Sequence, residues 1–258
     1  MRASLRGGPA RPRTLPRVRS ASLLVVGDEL LSGEIRDENT PWIIDRLARE
    51  GVRVVRVAVC PDVEDEVATE VRRLRALSDA LLVTGGVGPT HDDVTRPALA
   101  RALGVTLVPH PEAERRIRGF YGQAVTAAEL EMAMLPAGAR VVVGPSTGTL
   151  GFELGGVYGF PGVPVLMRDL VEGIVSDFRG APLHRQEVIT GLREGEIAPL
   201  LTRTQAEHPD VAIGSYPVLE AGAWHVRLVL RSTDAARASM VARQLREGLH
   251  RLGHGARR

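Results

Sequence analysis

Three short apolar runs constrain this chain more than any other feature. They are Ser22-Leu-Leu-Val-Val26, Val52–Val59 and Ala80-Leu-Leu-Val83. Between them apolar residues recur at helical spacing: Ile43, Ile44 and Leu47 in one stretch, and Val63, Val67, Val71, Leu74 and Leu77 in the next. Buried β-branched runs alternating with amphipathic helices predict a parallel sheet with helices on both faces. In such sheets ligands bind beyond the carboxyl ends of the strands. Two loops leave such ends, Gly27–Asn39 and Thr84–Thr95. Thr40-Pro41 reads as an N-cap followed by Pro at the first helical position, and Gly51 as that helix's end.

Further on, residues 111–135 read as helical with a break near 122–126. Arg140–Val143, Phe152–Leu154 and Val157–Phe160 read as strands, the last two a hairpin across Gly155-Gly156. Pro161-Gly-Val-Pro164 leads into a helix over about 165–178. A boundary falls near Gly180-Ala-Pro182. Beyond it the pattern is strand 186–190, helix 194–206, strand 211–216, strand 224–230 and helix 234–252, a small βαββα domain. The expected organisation is a disordered Arg-rich tail over 1–19, an α/β domain over 20–180 and the small domain over 185–252.

Charge and residue usage remove several function classes. All 33 basic residues are arginine, which excludes a Walker P-loop, a Schiff base and a Ser-Lys dyad. Nine of them lie in the acid-free ends, 1–20 and 251–258, leaving 24 against 31 acids in the body. That net negative body, with aromatics at 3%, argues against nucleic acid as a partner. Cys60 stands alone, so no internal disulfide or cysteine-rich zinc site forms. With no membrane-length apolar run and no signal-peptide core, a cytoplasmic protein is expected.

The densest cluster of potentially chemical residues is Thr84-Gly-Gly-Val-Gly-Pro-Thr-His-Asp-Asp-Val-Thr95. Gly85, Gly86 and Gly88 let the chain turn sharply and let a phosphate approach the backbone. Asp92 and Asp93 add hard oxygen donors suited to Mg²⁺-like ions. The plainer readings are a tight turn for the glycines and helix capping for Asp93 and Thr95. A second cluster, Gly27-Asp28-Glu29 with Asp37 and Asn39, lies where it can complete a cation site with Asp92 or Asp93, or is a solvated loop with a cap. A third, Gly144-Pro-Ser-Thr-Gly148-Thr149, suits a phosphate or pterin edge as well as it suits a plain loop. Phe160-Pro-Gly-Val-Pro164 is a rigid turn feeding a helix. His91 is a candidate acid or base, although a lone loop histidine is more often a bystander.

Val26-Gly-Asp-Glu-Leu-Leu-Ser-Gly33, the Thr84–Thr95 segment and Phe160–Pro164 resemble the molybdopterin-binding-like domain family over about residues 21–178. Within it they are most similar to the N-terminal region of the CinA competence/damage-inducible proteins and to the N-terminal domain of FAD synthases. Residues 185–250 resemble, more weakly, the small KH-like domain that follows in CinA proteins. The resemblance implies a MogA/MoaB-like α/β fold and a homo-oligomer. It also implies a pyrophosphatase acting on ADP-ribose or FAD with a divalent metal (Mg²⁺, Mn²⁺ or Co²⁺) and K⁺, or else pterin binding and adenylyl transfer in molybdenum cofactor synthesis; the remaining alternative is a non-catalytic nucleotide- or pterin-binding module whose acids only cap helices. Asp93 matches the aspartate that serves adenylyl transfer in the molybdopterin enzymes. On the pyrophosphatase reading Asp92, Asp93 and Glu29 hold the metal. Asp93, Asp92, Asp28 and His91 serve catalysis. Thr84, Gly85, Gly86, Gly88, Thr95, Asn39, Gly148 and Thr149 hold the ligand. Val165 departs from the family, which commonly has a polar or acidic residue there. The amidohydrolase and adenylyltransferase domains that follow in those relatives are not expected here.

Overall fold

A computed structural model describes residues 18–255. The chain divides into two compact units between Gly180 and Ala181. The first holds β1 (Ser20–Val26), α1 (Asp28–Leu31), α2 (Asn39–Arg49), β2 (Arg53–Cys60), α3 (Glu64–Arg75), β3 (Ala80–Thr84) and α4 (Thr95–Leu103). It continues through β4 (Leu107–Pro109), α5 (Pro111–Tyr121), α6 (Ala127–Glu131), β5 (Met134–Pro136), β6 (Arg140–Val143), β7 (Leu150–Leu154), β8 (Val157–Phe160) and α7 (Pro164–Ile174).

The main sheet has the order β2-β1-β3-β8-β7-β6. The first four strands are mutually parallel, and β7 and β6 join antiparallel to their predecessors. Strand alternation sends residues to two cores. Leu24, Val26, Leu81 and Val83 pack with Val67, Val71 and Leu74 of α3 and Leu99 of α4. Leu23, Ala80 and Leu82 pack with Ile43 and Leu47 of α2 and Met167, Leu170 and Ile174 of α7. The expected mostly parallel sheet, covered on both faces, is therefore what forms.

Three local expectations are corrected. Residues 111–135 are not one broken helix: Met134–Pro136 is a strand that pairs antiparallel with β4. The helix after Phe160 ends at Ile174 and gives way to a 3₁₀ turn over Val175–Asp177. The cap of α2 is Asp37, whose Oδ1 accepts the amides of Asn39 and Thr40, both at 2.9 Å; Thr40 lies inside the helix. Residues 1–17 of the expected tail lie outside the described residues. Val18 is not tail-like, since it is buried and bridges to Phe178.

The second unit is β9 (His184–Thr190), α8 (Glu194–Glu207), β10 (Ala212–Glu220), β11 (Ala223–Ser232) and α9 (Ala235–Gly255). Its antiparallel sheet has the order β10-β11-β9. Val188, Val226, Leu228 and Leu230 pack on Ile197 and Leu200 of α8 and on Val241 and Leu245 of α9. The chain's two tryptophans fall one to each unit. Trp42 on α2 has the Arg168 guanidinium 5.8 Å from its ring centre. Trp224 is 68% exposed and faces Leu219 across the β10–β11 hairpin. Among the described residues no helix is long and apolar enough to cross a membrane.

Candidate functional site

The connection from β1 leads to β2 on one side, and the next strand of this sheet after β3 is β6, at the opposite edge. The loops after β1 and β3 therefore diverge, which leaves a crevice between them. Val26 pairs with Cys60, Val25 with Thr84 and Thr84 with Phe160, so four strand ends lie level. A cleft of about 380 Å³ opens there. Of the residues proposed from sequence, Glu29, Asn39, Thr84, Gly85, Gly86, Asp92 and Asp93 line it.

Its floor is the Gly85-Gly86 turn. Gly85 has φ of 98°, and a Cβ there would lie 2.0 Å from the Val26 carbonyl oxygen. No other residue fits. The turn is fixed from three sides. Gly85 N–H donates to the Phe160 carbonyl at 3.0 Å. The Thr95 amide donates to Gly86 O at 2.9 Å and its hydroxyl to Gly85 O at 2.8 Å. Thr95 is fully buried, so it braces the loop from behind and does not line the cleft.

Asp93 is held by its own loop. Its Oδ1 accepts the Gly88 amide at 2.7 Å, and its Oδ2 accepts the Thr90 amide at 2.8 Å and the Thr90 hydroxyl at 2.5 Å. This is the bracing arrangement that capping aspartates make. Arg96 tightens the same loop, donating to the Gly88 carbonyl at 2.7 Å and to the Glu131 carbonyl. Its burial lowers the guanidinium's pKa. His91 is 99% exposed at the loop tip and lines neither cavity.

Sequence reasoning missed Asp62, at the end of β2. Its Oδ2 accepts the Asp28 amide at 2.9 Å. Its Oδ1 lies 3.5 Å from where a Gly86 Cβ would be. Burial pushes the Asp62 carboxyl above its ordinary range, and the charges of Glu29, Asp28 and Asp92 push it the same way, against the Asp28 amide. The one available signal was position, because Asp62 follows a parallel strand at the same level as Asp28 and Gly85. Glu29 folds back over Gly27, both carboxylate oxygens 2.6 Å from where a Cβ would be. Asp28 contributes its amide to Asp62 but does not line the cleft.

Two more polar groups stand unsatisfied in the wall. Asn39 is 6% exposed; its Nδ2 donates to the Gly162 carbonyl at 2.7 Å, and its Oδ1 has no partner. Thr84 is 1% exposed, and its hydroxyl has none either. Buried polar atoms left this way are normally completed by water or ligand. Cys60 is no nucleophile at neutral pH, since burial pushes its thiol up to about 12.

Gly88, Gly148 and Thr149 line a separate cavity. The loop carrying the last two is anchored by Asp169, which accepts the Ser146 amide, the Thr147 amide and the Thr147 hydroxyl. Among the described residues no three His, Cys, Asp or Glu side chains are already gathered as a metal-binding group. The expected trio of Asp92, Asp93 and Glu29 is thus not preassembled, because Asp93 turns back onto Gly88 and Thr90.

Fold and cleft together define an α/β domain of the mostly parallel, doubly covered class, with its crevice where strand order reverses. The chain belongs to the family described as the probable molybdopterin binding domain, whose model matches residues 22–180. Residues 182–253 match the middle domain of FAD synthase. A chain of Aeropyrum pernix is 34% identical over 247 residues, covering 90% of each. A CinA-like protein of Citrifermentans bemidjiense is 35% identical over 246 residues, 88% of this chain. The chain spans 58% of that protein's length. Among solved structures, CinA of Thermoplasma acidophilum, described as of unknown function, matches with 34% identity and a TM-score of 0.58. That match covers 62% of this chain and 97% of the CinA chain.

Proposed function

We propose that the first unit hydrolyses a nucleotide diphosphate of the ADP-ribose or FAD class with the help of a divalent cation. One observation carries the reading: the Gly85-Gly86 turn shares its cleft with Glu29, Asp62 and Asp92. A phosphate needs the close backbone approach that the glycines allow. An anionic diphosphate beside three carboxylates needs a cation between them.

The donor set suits a hard ion. The charged neighbours acting on Asp62 are all acids, and carboxylate oxygens are the ligands that Mg²⁺ and Mn²⁺ take. Glu29 and Asp92 would hold it together with the substrate's own oxygens, a site that is not preassembled among the described residues. Bound there, such an ion would neutralise the diphosphate and lower the pKa of a water. The chain's residues do the rest. The glycine turn seats the phosphates, and Asn39 Oδ1 and Thr84 Oγ1 take hydrogen bonds from the ligand or its water. Asp62, left off the metal, accepts the proton of the attacking water. The water oxygen bonds to phosphorus, the bridging P–O bond breaks, and the departing phosphate monoester carries away the bond's electron pair.

The test is AMP release from ADP-ribose, FAD and NAD with Mg²⁺, Mn²⁺ or Co²⁺, with and without K⁺. Metal-dependent release that Asp62→Asn and Asp92→Ala each reduce about a hundredfold, with unchanged circular dichroism, supports the reading. No release with any pair overturns it. Turnover of ATP with molybdopterin would then identify adenylyl transfer, a reading compatible with a family described by molybdopterin binding.

A further inference from the structure

The cleft at the strand ends is walled by acids, yet one base stands among them. Arg36, in the loop between α1 and α2, is the one basic side chain among the described residues that line it. Arg36 is exposed, and its guanidinium has no ion pair or hydrogen bond among the described residues. Other arginines of this unit do find acids. Arg168 takes Glu38 at 3.4 Å, Arg46 takes Glu172 at 2.6 Å, and Arg101 takes Asp65. The acids next to Arg36 in the chain are committed elsewhere. Asp37 Oδ1 accepts the amides of Asn39 and Thr40, and Glu38 meets Arg168.

The backbone that carries Arg36 is pinned on both sides. Ile35 N–H donates to the Glu29 carbonyl at 3.1 Å, and Asp37 caps α2. Asn39 then fastens the start of α2 to the turn after β8, through Nδ2 and the Gly162 carbonyl at 2.7 Å. The loop after β1 forms one side of the crevice, and the Gly85-Gly86 turn after β3 forms the other. A diphosphate seated on the glycine turn therefore has a guanidinium on the opposite wall. A guanidinium grips phosphate oxygens through two parallel N–H donors. The cleft's carboxylates repel the second phosphate of such a ligand, and an arginine held there offsets that repulsion.

We propose that Arg36 is a binding residue for the diphosphate: its guanidinium takes the outer phosphate from the wall opposite the glycine turn. Arg36 thereby makes the cleft select two linked phosphates over one. The inference rests on the diphosphate part of the proposed function and deepens it, since it names what tells a diphosphate from a monophosphate in the same cleft. A monophosphate seated on the glycine turn leaves Arg36 unused. Exposed and unbonded, Arg36 contributes little to folding, so its replacement tests the ligand contact itself.

The test uses the full chain with Mg²⁺, and calorimetry. The probes are AMP and the non-hydrolysable methylene analogue of ADP. Arg36→Ala should weaken the analogue about tenfold and leave AMP within about twofold, with an unchanged melting curve. Arg36→Lys, which keeps the charge and loses the fork, should weaken the analogue about threefold. In the AMP-release assay on ADP-ribose, Arg36→Ala should raise KM about tenfold. Equal weakening of both probes is the mark of a general loss of positive charge and overturns the inference. So does analogue binding that Arg36→Ala leaves unchanged. Either result, with ADP-ribose still cleaved by the parent chain, leaves the hydrolase reading intact. Analogue binding that depends on Arg36, with no AMP release by the parent chain, supports the inference and overturns the hydrolase reading. Binding of neither probe overturns the inference.

Discussion

Asp62 accepts the backbone amide of Asp28 at 2.9 Å, tying the end of β2 to the first residue of α1. One carboxylate oxygen thereby fixes the loop after β1. Asp62 remains among acids, with Glu29, Asp28 and Asp92 all acting on it. Burial and like charges both oppose its ionisation, while the amide favours it, and acids perturbed in this way within a cleft are candidates for function.

Replacing Asp62 by Asn keeps an oxygen for the Asp28 amide and removes the charge. Its carboxyl binds a proton more tightly in the folded chain than in the unfolded one, whose value is 3.8. The folded state is therefore penalised as pH rises above that value. Asp62→Asn should raise the melting temperature at pH 7 by about 2 °C, and the gain should vanish near pH 4. Thermal melts across that range check it. A lower melting temperature at pH 7 would contradict the assignment of strain to Asp62.

Asp93→Ala removes the acceptor for two amides and a hydroxyl. The Gly88–Thr90 segment should loosen, with a stability loss of about 1–2 kcal/mol, typical of a lost capping residue. Limited proteolysis should cut between residues 88 and 93 faster than in the parent. An unchanged melting curve and digestion pattern would show that Asp93 does not brace the loop.

Gly85→Ala places a methyl against the Val26 carbonyl in a backbone conformation that disfavours side chains. A loss of about 3 kcal/mol or more is expected, since backbone must shift. Chemical denaturation measures it, and a loss below about 1 kcal/mol would refute the steric argument. Gly148, also at positive φ but with nothing within 4 Å of a Cβ, provides a control with a smaller loss of about 1 kcal/mol.

In the second unit Arg237 donates twice to Asp210, both at 2.7 Å. That pair holds the Asp210 carboxyl at about 2, below the ordinary 3.8. Its contribution to stability is present above 3.8 and is lost as pH falls toward 2. Asp210→Asn should flatten the pH dependence of this unit's unfolding between those values. Hydrogen exchange at amides of α8 and α9 as a function of pH reads the unit separately.

The strands and most helices were legible because burial demands continuous apolar runs in a parallel sheet and a 3.6-residue period on its covering helices. The β4–β5 pair was not, since three residues carry no period and both strands include a proline at their ends, Pro109 and Pro136. The site was legible as loops more than as roles. Asp93 drew notice for its neighbours, and those same neighbours consume its oxygens. Gly148 and Thr149 share a residue class with the glycine turn but not its cavity. Asp62 escaped because Pro61-Asp62 reads as an ordinary link into α3. Only the level ends of β1, β2 and β3 bring it to the floor, and register is a property of pairing that no local pattern carries.

The two tryptophans give the chain an optical property of its own. Trp224 stands mostly in water in the folded state, so its emission changes little on unfolding. Trp42 sits three positions after Asn39 on the helix that walls the cleft, with Arg168 over its ring. Shifts in intrinsic fluorescence therefore report on α2 almost alone, and ligand entry at the strand ends can be timed in the native sequence without an added dye.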